Sequence, residues 1–307
     1  MILLVSDNQD VSTNEVVGWL RKFQVDFVRL GSQSIWSKPI SIASGAVASD
    51  AVASVSAVWF RRSLWQTPNG LPNSDALSAF ATEEYTAALK IYYKQVLSSA
   101  RALGNPFLSS VDKFEMLNLA AKLGLSTPKT LISNDKSVLS AFIKEHQNVI
   151  TKPLTDAPIL TKASGTPKTF YTNPLTINDL EAIPDLLFPS MVQQTIEKAY
   201  DLRVFYLLGQ CYAVATMPTD RIDSRIRHNG RLPIMQPYTL PPDLALKIQA
   251  FMQALGLNTG SLDFVVDKSE STAYFLEINP IGQFGAVSRA GNYNLEEKIA
   301  QYLAYGT

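Results

Sequence analysis

Three oxygen donors in the last fifty residues, Asp263, Glu277 and Asn279, are the side chains best placed to do chemistry. Asp263 interrupts the apolar run LDFVV, and Glu277 interrupts YFLEI. A carboxylate inside a run that reads as a buried strand is costly unless it is paired or binds a cation. Glu277 and Asn279 are two residues apart, which on a strand puts them on one face. Two carboxylates and an amide oxygen are hard donors that suit Mg²⁺, an ion that commonly joins protein carboxylates to nucleotide phosphates. A pair of strand acids facing solvent is the plainer alternative. Pro280 and Gly282 impose a turn directly after Asn279, as a loop over a site requires.

Arginines gather in two places. Arg221, Arg225, Arg227 and Arg231 lie within residues 220–231, and Arg61 and Arg62 end the run VSAVWF. Other chemistries are poorly supplied. Cys211 is the one cysteine, so no intramolecular disulfide forms, which fits a reducing compartment. With His146 and His228 as the two histidines, a Cys/His zinc site is not expected, and no local signature marks a Cys–His nucleophile pair.

The 307 residues carry 27 basic and 27 acidic side chains, and this zero balance argues against nucleic acid as the main partner. Hydrophobic residues make up 46% and charged residues 18%, a globular balance that excludes wholesale disorder. The start, MILLVSD, lacks the basic segment and cleavage site of a signal peptide. No apolar run approaches the ~18 residues that span a membrane. A cytoplasmic protein with neither membrane nor nucleic acid as partner is expected.

The elements that must position these residues follow from periodicity. Residues 2–5 read as a buried strand, 12–23 as a helix with Val16, Val17, Leu20 and Phe23 on one face, and 25–30 and 55–60 as further strands. This βαβ order predicts an open parallel sheet. Residues 40–57, rich in Ser, Ala and Val, suit a hairpin. A long helix is expected over 75–103, with Leu77, Phe80, Leu89, Tyr92, Val96 and Leu103 in its stripe and Gly104 at its end. Asp112 and Glu115 form a capping-box signal for a helix running to Gly124. Strand 129–132, helix 136–146 and strand 148–153 follow, then a hairpin or loop over 154–175. Strand 191–197, a hairpin of 202–208 and 210–217 around Gly209, helix 242–255, a hairpin of 260–267 and 273–279, and helix 294–304 complete the chain.

The segment EINPIGQF (277–284), preceded by LDF (262–264), resembles the metal-binding end of the ATP-grasp ligases. Further landmarks stand in the family's order over 105–290. DKFEMLNLAAKLGLSTPKTLI (112–132) resembles the start of its central subdomain, and VITKP (149–153) the strand bearing a phosphate-binding lysine. VQQTIEKAYDLRVF (192–205) resembles the hinge beside adenine, and DSRIRHNG (223–230) the basic segment near the phosphates. The resemblance implies an α/β ATP-grasp clamp in three units: a Rossmann-like pre-ATP-grasp domain (1–105), a central lid subdomain (106–190) and a C-terminal metal-binding subdomain (191–307). It implies ATP and a pair of Mg²⁺ ions, held by Asp263, Glu277 and Asn279.

Residue by residue, the resemblance places Lys113 and Lys152 on the phosphates. It places Gln194, Thr195 and Ile196 beside adenine and Asp201 near the ribose or adenine. Arg203 falls at the γ-phosphate or the acyl phosphate, and Arg225 is the first phosphate candidate of its segment, with Arg227 the second. An Asp201–Arg203 structural pair is the alternative for those two. The lid loop, KASGT (162–166), has a single glycine where the family often has several. AVWFRRSLW (57–65) and the ending NPIGQF resemble the graspetide, or microviridin-type, peptide ligases. Such enzymes join Asp or Glu side chains of a ribosomally made precursor peptide to Ser/Thr hydroxyls or Lys amines. The implied partner is a precursor with a leader and an acidic core, and the implied assembly a homodimer. A ligase of the ribosomal-protein glutamate type is a second reading, and a nucleotide-binding regulatory module without turnover a third. Arg61 and Arg62 also suit a domain-interface ion pair.

Overall fold

The computed structural model describes residues 1–37, 40–43, 55–68, 76–155, 160–161, 167–168, 172–181, 183–217 and 234–307. The apolar run Ile2–Val5 is strand β1, buried at every position. Helix α1 (Val11–Lys22) returns over it with Val16, Val17 and Leu20 buried. Strands β2 (Phe27–Leu30) and β3 (Ala57–Phe60) flank β1 in parallel, and β4 (Arg101–Leu103) adds to β3, giving the order β2-β1-β3-β4. Of the expected hairpin at 40–57, residues 44–54 lie outside the described ones.

The long helix, α2, is described over Ala76–Ser99 and stops short of the expected end at 103. The helical stripe continues into Leu103, but the open edge of β3 competes for these backbone groups and wins. The Ala100 N–H makes the last helical bond, to the Val96 carbonyl, and the Arg101 N–H turns to the Ser56 carbonyl. Gly104 therefore ends a strand. Its φ of +77° and its approach to the Phe60 carbonyl are closed to residues with a side chain. Leu77 and Phe80, expected in the buried stripe, stand exposed.

Helix α3 (Lys113–Lys122) opens on Asp112, whose carboxylate accepts the Glu115 N–H at 2.9 Å. Strand β5 (Thr130–Asp135), helix α4 (Lys136–His146) and strand β6 (Val149–Lys152) follow. Two short strands, β7 (Leu160–Thr161) and β8 (Pro167–Lys168), pair within the expected hairpin or loop. Then come β9 (Asn173–Leu175), α5 (Ile177–Glu181) and β10 (Leu186–Gln194). The central sheet is antiparallel, in the order β5-β10-β6-β9. β10 starts five residues before the expected strand at 191–197 and stops at Gln194. The next strand, β11 (Lys198–Leu207), starts at Lys198 rather than 202, because a register shift near Tyr200 lets it follow the whole length of its neighbour β14.

The C-terminal sheet contains β11, β12 (Gln210–Thr216), β13 (Met235–Tyr238), β14 (Thr259–Asp267) and β15 (Ala273–Asn279), antiparallel in the order β13-β12-β11-β14-β15. Leu208 and Gly209 both have positive φ, the backbone a two-residue hairpin turn demands. Helix α6 (Pro242–Ala254) covers one face of this sheet. Helices α7 (Gly285–Gly291), which periodicity did not reveal, and α8 (Leu295–Tyr305) lie against the other. Leu202, Val204, Leu262 and Phe264 pack on Leu117 of α3 and on Ile248 and Phe251 of α6. Phe205, Leu207 and Val214 enter a second core with Phe284, Val287, Ile299 and Leu303, which also contains Ile2, Leu4, Leu20 and Trp59 of the N-terminal sheet. Among the described residues, no helix is long and apolar enough to cross a membrane.

Candidate active site

The second face of the C-terminal sheet is apolar where α7 and α8 cover it and polar beyond them. Register creates that polar patch. Asp263 on β14 lies between Arg203 on β11 and Glu277 on β15, directly paired with each, while Asn279 pairs with Ser261. Asp201 and Arg203 share their face by strand alternation. β15 could not serve both core and site without an irregularity. Phe275 and Glu277 are two apart, so a regular strand would send them the same way. The pairing shifts between Asp263 and Phe264, leaving Leu276 as an extra residue. The bulge sends Phe275 into the core, where it is fully buried against Phe251 and Phe264, and turns Glu277 onto the polar face.

Arg203 grips Asp263 with both arms of its fork. Nε donates to Oδ1 at 2.8 Å and Nη2 to Oδ2 at 2.9 Å, with each side chain about a quarter exposed. The Lys198 ammonium donates to both oxygens of Asp201, at 2.9 and 2.8 Å. Among the described residues, Asp201 pairs with Lys198 and Arg203 with Asp263, and Asp201 and Arg203 do not pair with each other. Among the described residues, no three Asp, Glu, His or Cys side chains converge. The candidate cation site is sparser: two facing carboxylates and the Asn279 amide. That donor set fits Mg²⁺, which keeps several waters and takes one or two carboxylates together with substrate phosphates.

The turn after Asn279 is tightly held. Asn279 Oδ1 accepts the Ile281 N–H at 3.0 Å, and Ser261 Oγ donates to the Gln283 carbonyl at 3.2 Å. Gly282 has no room for a side chain, since a Cβ would stand 2.4 Å from the Ser261 backbone nitrogen. Arg61, 2% exposed, reaches this turn from the end of β3 and donates to the Ile281 carbonyl. Its Nε forms an ion pair with Asp10 at 3.1 Å, and the Asp10 carboxylate also accepts from the Thr13 hydroxyl at 2.8 Å. Burial lowers the Arg61 pKa to about 10 against the opposing pull of Asp10, so the group is a cation at neutral pH. Arg62 is half-buried, and its N–H donates to the Val5 carbonyl at 3.1 Å.

Lys152 ends β6. Its ammonium donates to Gln193 Oε1 at 2.8 Å, and Gln193 Nε2 donates to Thr130 Oγ1 at 2.9 Å. Gln193 is 2% exposed and lies between the two neighbouring strands, opposite Thr130 and diagonal to Lys152. Sequence reasoning chose Gln194 and passed over Gln193. The signal was available, since the alternation through Met191 puts residue 193 on the lysine's side. Lys113, the first residue of α3, donates to the Thr155 carbonyl at 3.2 Å, which brings it to the segment directly after Lys152. At the hinge, the Gln194 N–H donates to the Lys129 carbonyl at 2.8 Å and the Thr195 N–H to Asn148 at 2.9 Å. Ile196 follows in the link to β11.

Arg225 and Arg227 lie outside the described residues, as do Arg221, Arg231, Lys162 and Ser164. Cys211 packs beside the core under α6, and burial pushes its thiol up to about 11. His146 stands edge-on to Phe142 on α4, with ring centroids 4.4 Å apart. The two belong to different units and form no nucleophile pair.

No family model and no curated protein matches the chain. Solved structures match it from end to end. Macrocyclase MdnC of Microcystis aeruginosa MRC, bound with precursor peptide MdnA, is 25% identical with a TM-score of 0.79, covering 98% of each chain. A Chryseobacterium gregarium RiPP-associated ATP-grasp ligase, in complex with ADP and a leader and core peptide, is 23% identical with a TM-score of 0.80, covering 99% of this chain and 95% of its own. The ATP-grasp ligase PsnB, complexed with minimal precursor, Mg and ADP, is 18% identical with a TM-score of 0.76, covering 98% of this chain and 96% of its own. The backbone follows these ligases over nearly its whole length, and the chain has the ATP-grasp fold of the RiPP-associated ligases.

Proposed function

We propose that this chain is an ATP-dependent ligase that activates Asp or Glu side chains of a ribosomally made precursor peptide and joins them to Ser/Thr hydroxyls or Lys amines. The observation that carries the reading is the facing pair Asp263–Glu277, with Arg203 bonded to Asp263, on a polar patch of the C-terminal sheet. Asp263, Glu277 and Asn279 would hold Mg²⁺, which when bound neutralises the nucleotide phosphates. Lys152, aimed by Gln193, and Lys113 bind phosphate oxygens as compact positive charges. With the Gln194 and Thr195 N–H groups already engaged, adenine meets the hinge through their carbonyls and through Ile196. Asp201 takes the ribose side.

The substrate carboxylate oxygen attacks the γ-phosphorus of ATP, and ADP leaves. The hydroxyl or amine then attacks the acyl carbon, phosphate leaves and the nucleophile loses its proton. Each ring costs one ATP and removes the elements of one water. This chain's part is positioning and charge neutralisation, with Arg203, Arg225 and Arg227 meeting the phosphoryl group. Nothing in the scheme needs a protein nucleophile, consistent with the high pKa of the Cys211 thiol. The arginines at 220–231 give an acidic core peptide its counter-charge, and the working assembly is a homodimer that holds the precursor's leader.

Incubation with MgATP and a candidate precursor, read by intact mass, tests the reading. Loss of one water per ring is the expected result. A gain of one glutamate residue would instead place the chain with amino-acid-adding ligases, and ATP binding without turnover with regulatory modules. Glu277→Gln is expected to lower turnover at least ~10²-fold. Unchanged turnover in that variant removes the metal assignment.

A further inference from the structure

Arg61 and Asn279 belong to different sheets, yet one peptide joins them. The Ile281 carbonyl accepts from the Arg61 guanidinium, and the Ile281 N–H donates to Asn279 Oδ1. Arg61 is itself fixed by the Asp10 carboxylate and by the Phe284 ring, whose centroid lies 5.9 Å from its central carbon. The arrangement is expensive. A cation 2% exposed has given up its hydration, and neither its Nε nor its Nη2 finds a hydrogen-bond partner among the described residues. An apolar side chain of similar length would fill the same space without that cost. What the guanidinium adds is direction, because it sets the plane of the Ile281 peptide. That plane aims an N–H at one lone pair of Asn279 Oδ1, and the amide oxygen keeps its second lone pair for a cation.

We propose that Arg61 is a positioning residue for the metal ligand Asn279, acting through the Ile281 peptide, so that the N-terminal sheet sets the geometry of a cation site in the C-terminal one. The inference rests on the reading of Asn279 as a metal ligand. Partners that orient a ligand from outside the metal's own shell typically change metal affinity by ~10–100-fold when removed. Gly282 and Ser261 hold the far side of the same turn, so loss of Arg61 frees the Ile281 peptide specifically and leaves the rest of the loop seated.

The test is Mn²⁺ binding to the full chain at saturating ADP, followed by the electron paramagnetic resonance signal of free Mn²⁺. Arg61→Met is expected to weaken Mn²⁺ about tenfold while ADP affinity without metal stays unchanged. Arg61→Lys, which keeps a charge and a donor, should recover part of the loss. Asn279→Ala should weaken Mn²⁺ alone, and Arg61→Met should add nothing in that background. Wild-type Mn²⁺ affinity in the folded Arg61→Met protein, or full additivity with Asn279→Ala, overturns the inference while leaving the metal reading in place. If Arg61→Met does not fold, the same cycle with Arg61→Lys decides. Unchanged Mn²⁺ affinity in Asn279→Ala removes the metal reading and the inference together.

Discussion

If Asp263 holds the metal as proposed, Arg203 and the ion compete for the same two oxygens, and Arg203→Met takes one competitor away while keeping most of the stem. Both arms of the guanidinium are engaged, at 2.8 and 2.9 Å. A hydrogen bond to a charged group is worth about 1.5–3 kcal/mol when buried, whereas a fully exposed ion pair is worth about 0–1 kcal/mol. Side chains 26% and 25% exposed fall between these limits. An entering cation must therefore displace an interaction of about 1.4 kcal/mol, close to a factor of ten in affinity. Without nucleotide, Arg203→Met is expected to bind Mn²⁺ about tenfold more tightly than wild type, as read by calorimetry at pH 7. Turnover of MgATP should move the opposite way, falling ~10²–10³-fold, because the displaced guanidinium is needed at the phosphoryl group. The opposite signs carry the argument. Equal or weaker nucleotide-free Mn²⁺ binding in Arg203→Met would refute the competition and leave the Arg203–Asp263 pair as a structural fastening.

Three further outcomes are expected. Gln193→Leu removes one acceptor of the Lys152 ammonium and a donor to Thr130, so ATP should bind about 5–10-fold more weakly, and urea unfolding should show a loss of about 1–2 kcal/mol. Gly282→Ala forces a Cβ toward the Ser261 backbone, so thermal unfolding should come earlier, by about 1–3 kcal/mol of stability, with weaker Mn²⁺ binding from the displaced turn. The Cys211 thiol, raised to about 11 by burial, is almost wholly protonated at pH 8 and should resist a thiol-specific chromogenic disulfide in the native protein. It should react promptly once the chain is unfolded in guanidinium.

The elements with strong periodicity were legible because their packing is simple. Ile2–Val5 is an unbroken apolar run in a sheet covered on both faces, and the hairpin of β14 and β15 shows its acids within apolar alternation. The Asp112 cap needs only a three-residue spacing. Features set by partners far along the chain were not legible. Residues 101–103 suit a helix as well as a strand until β3 offers an edge. The bulge at Leu276 depends on β14 and the core together, so no local pattern announces it. The site shows the same division. The acids were visible one by one, but Arg203 lies sixty residues before Asp263, and only the register of β11 against β14 reveals that they meet. Arg61 was visible as half of a conspicuous pair of arginines, but its contact with the Ile281 carbonyl spans 220 residues of sequence.

The core shared by the first and last elements bears on how the protein comes to be folded. Ile2, Leu4, Val16 and Leu20 are buried against Leu295, Ile299 and Leu303, and the Arg101 guanidinium bonds the Leu303 carbonyl at 2.9 Å. As the chain leaves the ribosome, the N-terminal sheet cannot close one of its faces until α8 has also emerged. Contacts between residues so far apart in the chain form slowly. Strand β11, which bears Asp201 and Arg203 of the proposed site, shares that core with the N-terminal unit through Phe205 and Leu207. A chain interrupted before α8 would lack Leu295, Ile299 and Leu303, and so leave one face of the N-terminal sheet uncovered.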